Sequence, residues 1–186
     1  LNSIYGVTYG NGMFVAVGAS GNLATSPDGI TWTRRTSNFS GKYIYGVTYG
    51  NGMFVAVGEN GKLTTSPDGI TWTQRTSSFG TTSIRGVAYG NGMFVAVGEN
   101  GKLATSPDGI TWTQRTSSFG TTSTIYGVAY GNGMFIAVGG GLATSPDGIT
   151  WTQRTSNFGL GPINGVAYGN GMFVAVGDNG NLVTLS

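Results

Sequence analysis

Repetition is the feature that most constrains this chain. The segment G-V-(T/A)-Y-G-N-G-M-F-(V/I)-A-V-G begins at Gly6, Gly46, Gly86, Gly127 and Gly165, with spacings of 40, 40, 41 and 38 residues. A second segment, T-S-P-D-G-I-T-W-T, occurs four times and carries Trp32, Trp72, Trp112 and Trp151; the fifth unit stops before reaching it. Periods near 40 residues arise from helical repeats or from propeller blades of several short strands. A helical repeat needs stretches of about 10 to 15 residues with 3.6-residue periodicity, and the sequence has none.

Within one unit, Tyr5 to Tyr9 and Met13 to Val17 flank Asn11-Gly12. That dipeptide is a strong hairpin signal, because a type I′ turn needs positive φ at both central residues. Met13 to Val17 is continuously apolar, as expected of a strand buried on both faces. Asn22 to Ser26 reads as a third strand, Pro27-Asp28-Gly29 as a turn, and Ile30 to Arg35 as an outer strand in which Ile30 and Trp32 alternate with Thr31 and Thr33. Such a meander cannot bury both faces alone, so the units must pack side by side around an axis. The expectation is an all-β, five-bladed β-propeller of four-stranded antiparallel blades, the last blade lacking its outer strand. It forms a single domain over 1–186, with units at about 6–45, 46–85, 86–126, 127–164 and 165–186. The third strand of the last unit, Asn181 to Ser186, is then an open edge. An upstream strand ahead of Leu1 completes the ring, or blade five is three-stranded, or the edge joins another chain as an oligomer contact.

Composition agrees with this class. Thirty-five glycines and only 9% charged residues favour strands and tight turns, while 39% hydrophobic residues, with nine Phe, nine Tyr and four Trp, supply a core. A net charge of +2 is too small for a nucleic-acid or anionic-membrane footprint, although the pI is near 9.0. Without cysteine or histidine there is no thiolate, no imidazole base and no Cys- or His-based metal site. The longest apolar runs are about five residues, against about 20 for a membrane helix. The chain is expected to be soluble, with no cofactor and no metal. It begins at Leu1 without a basic-then-apolar leader, so any signal or flanking domain is expected outside it. Residue usage does not fix a compartment, although an extracellular or virion-surface location fits.

S-P-D-G-I-T-W resembles the Asp-box, or BNR, repeat, usually written S-x-D-x-G-x-T-W, in four of the five units. It departs from that pattern by one residue, since Asp28 abuts Gly29 directly. The resemblance implies a structural turn at Asp28, Asp68, Asp108 and Asp147, with Trp32, Trp72, Trp112 and Trp151 packed inward beneath it. The remainder, Y-G-N-G-M-F-V-A-V-G, is similar to blades of repetitive bacterial and phage propeller proteins. The five-unit count resembles tachylectin-type lectins in architecture only and carries over no binding residue.

The carboxylates of the four Asp turns repeat at equivalent outer positions. They are expected too far apart for paired acid–base chemistry, which needs about 5 to 9.5 Å. Met13, Met53, Met93, Met134 and Met172 read as packing between blades. Arg35, Arg75, Arg115 and Arg154 read as solvated charges that discourage edge pairing. Comparison among the copies is more informative. The Asn-Gly and Pro-Asp-Gly turns share one face of the molecule and hardly change. On the other face the loop after the second strand varies: Ala19-Ser20-Gly21, Glu59-Asn60-Gly61, Glu99-Asn100-Gly101, a shortened Gly139-Gly140-Gly141, and Asp178-Asn179-Gly180. The connections between blades vary too, including Asn157-Phe158-Gly159-Leu160. Loops on a rigid scaffold carry binding. The candidate ligand-binding residues are therefore Phe39, Phe79, Phe119 and Phe158, with the neighbouring Tyr45, Arg85, Tyr126 and Asn164; packing of the loop phenylalanines against a blade edge is the alternative reading of the same residues.

No catalytic residue is assigned, because Glu59, Glu99 and Asp178 have no partner evident in the sequence. The leading expectation is a non-enzymatic multivalent binding module, carbohydrate-binding and lectin-like, with one weak site per blade or junction. Its partners would be glycans. The alternative is a structural or protein-interaction propeller of a larger bacterial or phage surface protein, or an amplified or engineered repeat scaffold without a specific ligand.

Overall fold

In each unit the Asn-Gly pair turns the chain as its residues demand: Asn11 (φ 46°) and Gly12 (φ 72°) are both left-handed. The computed structural model describes residues 3–155, 158 and 161–185; Asn157, Gly159, Leu160 and Ser186, part of the connection and edge strand discussed above, lie outside them. The turn closes a hairpin between β1 (Ile4–Gly10) and β2 (Met13–Gly18), with Gly10 opposite Met13 and Val7 opposite Ala16. β3 (Leu23–Ser26) and β4 (Thr33–Arg35) complete the first antiparallel sheet in the order β1-β2-β3-β4.

The remaining blades copy it. Blade two is β5 (Ile44–Gly50), β6 (Met53–Gly58), β7 (Leu63–Ser66) and β8 (Thr73–Arg75). Blade three is β9 (Ile84–Gly90), β10 (Met93–Gly98), β11 (Leu103–Ser106) and β12 (Thr113–Arg115). Blade four is β13 (Ile125–Gly131), β14 (Met134–Gly139), β15 (Leu142–Ser145) and β16 (Thr152–Arg154). Blade five has three strands, β17 (Ile163–Gly169), β18 (Met172–Gly177) and β19 (Leu182–Leu185). The protein is thus an all-β propeller of five blades, the last without an outer strand, and with no α-helix among the described residues.

The core lies between blades. Val15, Val17 and Leu23 of blade one meet Phe39, Ile44 and Trp72 from the next repeat, and equivalent residues form the other three interfaces. Each interface is keyed by a tyrosine lying where a glycine leaves room. A Cβ on Gly10 would stand 2.1 Å from the Tyr49 ring, and Gly50 faces Tyr89, Gly90 Tyr130 and Gly131 Tyr168 in the same way. The Asn-Gly turn then reaches across to the neighbouring Pro-Asp-Gly turn, Asn11 Nδ2 donating to the Pro67 carbonyl at 3.3 Å. Between blades five and one no such contact forms among the described residues.

Two expectations about the outer strand are corrected. It begins at Thr33 rather than Ile30, because the backbone N–H groups of Ile30 and Thr31 donate to the Asp28 carboxylate and are held in the turn. Ile30 is therefore exposed, not half-buried. Arg35, Arg75, Arg115 and Arg154 are also not simply solvated. Each Nε donates across the sheet to a threonine of the third strand, Arg35 to Thr25 Oγ1 at 3.0 Å.

Trp72 and Trp112 are buried against the preceding blade, Trp151 is half-buried against blade three, and Trp32, against which no described blade packs, is half-buried. Trp112→Ala should cost about 3–5 kcal/mol in guanidinium unfolding, and Trp32→Ala markedly less. Equal losses at the two sites would contradict packing between blades as the source of their burial.

Candidate functional site

The inner strand of every blade carries a β-bulge at the same place. Ile4 pairs with Gly18 and Gly6 with Val17, which leaves Tyr5 as the extra residue. The same interruption isolates Tyr45, Arg85, Tyr126 and Asn164. Bulges re-aim a side chain, and here five of them do so at one end of the axis. Together with the Gly-Val pairs that follow them, these five residues line an axial cavity of about 470 Å³. Its mouth lies on the face bearing the variable loops, since Glu59, Glu99 and Asp178 hydrogen-bond to residues at its rim.

The framework around the mouth is constant and the five bulged positions are not. Tyr5, Tyr43 and Tyr45 form an aromatic cluster with ring centroids 6.1–6.2 Å apart. The Arg85 guanidinium sits 4.4 Å from the centre of the Tyr45 ring, a cation–π distance. Arg85 is also ion-paired with Glu99, its Nε donating to Oε1 at 3.1 Å. Asn164 Nδ2 donates to Asp178 Oδ1 at 2.7 Å, and Lys42 Nζ lies 3.5 Å from Glu59. The acidic loop residues, read in the sequence as unpartnered, thus hold the rim side chains in place. Burial pushes the Tyr45 phenol above its ordinary range against the opposing pull of Arg85.

The structure separates the candidate residues into two groups. Tyr45, Arg85, Tyr126 and Asn164 come together at the mouth with Tyr5, which the sequence reading missed although it precedes Gly6 as the others precede their glycines. Phe39 and Phe79 do not join them. Each is 1% exposed and packs between blades, so neither offers a face to a ligand. Phe119 and Phe158 are half-buried against the next two interfaces. Loop phenylalanines serve the core here because the connection crosses from one blade to the next exactly where the interface needs a cap.

The Ser-Pro-Asp-Gly turns lie on the opposite face. Asp68 accepts from the N–H groups of Ile70 and Thr71 at 2.8 and 2.9 Å and from the Ser66 hydroxyl, while Trp72 Nε1 donates to the Gly69 carbonyl. These donors hold Asp68, Asp108 and Asp147 below the usual carboxylate range, and Asp28 at about 2. The carboxylates are thus occupied by backbone. Among the described residues no group of three acidic, histidine or cysteine side chains could hold a metal ion.

The profile of the DUF6242 beta propeller domain matches residues 47–157. No curated protein matches the chain. Among solved structures it is similar to YCF48 bound to a D1 peptide, at 18% identity and TM-score 0.72, covering 98% of this chain and 64% of that one. YCF48 from Cyanidioschyzon merolae is 16% identical with TM-score 0.70, at coverages of 97% and 66%. A streptogramin B lyase is 12% identical with TM-score 0.76, at 98% and 68%. The chain therefore spans slightly less than two thirds of the length of the YCF48 chains.

A carboxylate with a depressed folded pKa stabilises the fold above its unfolded pKa, and that contribution disappears as pH falls through the folded value. Stability in urea should hold from neutrality to about pH 5 and fall between the ordinary carboxylate value of 3.8 and about 2. Replacing Asp28, Asp68, Asp108 and Asp147 together with Asn should flatten that slope. An unchanged slope in the variant would place the acid sensitivity elsewhere.

Proposed function

The chain belongs to the DUF6242 beta-propeller family, and from that premise we propose that it is a protein-interaction propeller taking an extended peptide at the axial mouth. The observation that carries this reading is the convergence of five bulged residues, Tyr5, Tyr45, Arg85, Tyr126 and Asn164, on one opening of the face whose loops vary. A multivalent glycan binder needs like sites repeated around the ring. Three tyrosines, one arginine and one asparagine at one mouth make a single asymmetric site, which suits an asymmetric ligand. Tyrosine and arginine are the side chains most often dominant in protein interfaces, and the Arg85–Tyr45 stack presents both. That a fold neighbour was solved with a bound peptide is in keeping with this use of the scaffold.

The Ser-Pro-Asp-Gly turns we assign as Asp-box-like in kind and structural in role. Their carboxylates accept backbone N–H groups, and at the mouth Arg85 is paired with Glu99 while Asp178 accepts from Asn164. The reading is of binding without catalysis.

Selection of a random peptide library on the immobilised protein should yield binders that compete with one another. Against them Tyr45→Ala and Arg85→Ala should each weaken affinity at least about tenfold, or 1.4 kcal/mol. Asn51→Ala, on the opposite face, should leave it unchanged. Binders indifferent to both mouth substitutions, or binding confined to a glycan array, would refute the proposal.

A further inference from the structure

The four internal interfaces are copies of one another, and their two halves stand unpartnered at the ends of the blade series. On blade five, Val176 and Leu182 are 45% and 64% exposed, whereas Val17, Val57 and Val97 and Leu23, Leu63 and Leu103 are fully buried. On blade one, Val7 and Tyr9 are 61% and 58% exposed, while Val47 and Tyr49 pack into an interface. The slot beside Gly10, Gly50, Gly90 and Gly131 is filled by a tyrosine ring, but a Cβ at Gly169 would meet nothing within 4 Å. The Asn-to-Pro hydrogen bond joins Asn11 to Pro67, Asn51 to Pro107 and Asn91 to Pro146. Asn170 and Pro27 occupy the corresponding positions of the two open ends.

We propose that these end faces bind each other between two copies of this chain, blade one of one copy docking on blade five of the next. Tyr9 enters the slot at Gly169, Val7 lies on Val174 and Val176, Ile4 covers Leu182, and Asn170 donates to the Pro27 carbonyl. The occupant is a second copy because the chain already makes this interface with itself four times, with the same residue types on both sides. No complementarity is needed beyond what the internal interfaces display. The two faces differ, so the contact is head-to-tail rather than two-fold symmetric; it closes a ring of copies or runs on as a filament.

Sedimentation velocity over a hundredfold range of concentration tests this. The weight-average mass of the wild-type chain should rise with concentration. Gly169→Val fills the slot and Tyr9→Ser removes the ring that enters it, and both positions are open to solvent on the docking side. Each should weaken association at least about tenfold, with far-ultraviolet circular dichroism unchanged and, for Gly169→Val, the thermal midpoint in dilute solution unchanged as well. A wild-type chain that stays monomeric, or variants that assemble as the wild type does, would overturn the proposal. So would a monomer whose thermal midpoint falls in Gly169→Val, because Tyr9 would then be seated within the same chain.

Discussion

A tyrosine ring lying against a side-chain-less backbone sets the spacing of this molecule. Where Gly10 faces Tyr49, and at the three equivalent places, the next blade comes closer than any Cβ would allow. Each inner tyrosine is braced by the phenylalanine directly across its own hairpin, 4.6–4.7 Å away ring centre to ring centre, and this holds for the unseated Tyr9 as well. The close approach lets the valines of the second strand and the tryptophan of the following outer turn close over one another. A blade on its own has no interior, so stability resides in the interfaces and is close to a sum over neighbours. The end blades, with one interface each, are the weaker ones.

That framework leaves few positions free to differ. The apolar second strand, the Asn-Gly turn and the Ser-Pro-Asp-Gly turn are each tied to a neighbour by packing or by a hydrogen bond. The bulged residue of the inner strand lies outside the core between blades, and its contacts are those of the rim, such as the Arg85–Tyr45 stack and the Arg85–Glu99 pair. Its side chain points into the axial opening, where a change from tyrosine to arginine or asparagine disturbs no blade. Two of these rim side chains are held by an acidic loop residue of their own blade, Arg85 by Glu99 and Asn164 by Asp178. Glu59 has the same identity as Glu99 although it stands in the blade of Tyr45, so the bulged position changes there without a matching change in the loop.

Much of the fold was legible because its signals are local and repeated. The Asn-Gly hairpin follows from φ preferences alone, and the continuous apolar run Met13 to Val17 follows from burial on both faces. The outer strand was misjudged because alternation of Ile30, Thr31, Trp32 and Thr33 looks like pleating, whereas those residues complete a turn organised by Asp28. At the site, the variable residues could be found by aligning the copies, but their convergence could not. That depends on the bulge, a property of register with no side-chain signature. The loop phenylalanines stay open to two readings for a related reason: an aromatic in a polar loop reads alike whether it faces a ligand or plugs an interface, and only the path of the connection decides for the interface at Phe39 and Phe79. That no contact of this kind joins blades five and one among the described residues is likewise something no single repeat encodes.

The dependence of the whole on the tyrosine–glycine contact is tested most directly by the equilibrium unfolding of Gly90→Ala beside Gly169→Ala. The added methyl at Gly90 would stand 2.0 Å from the Tyr130 ring, and that at Gly169 meets nothing within 4 Å. The account predicts a loss of about 1–3 kcal/mol or more at Gly90, as overpacking costs in a filled interior, and a change within about 0.5 kcal/mol at Gly169. Equal effects at the two glycines would contradict it.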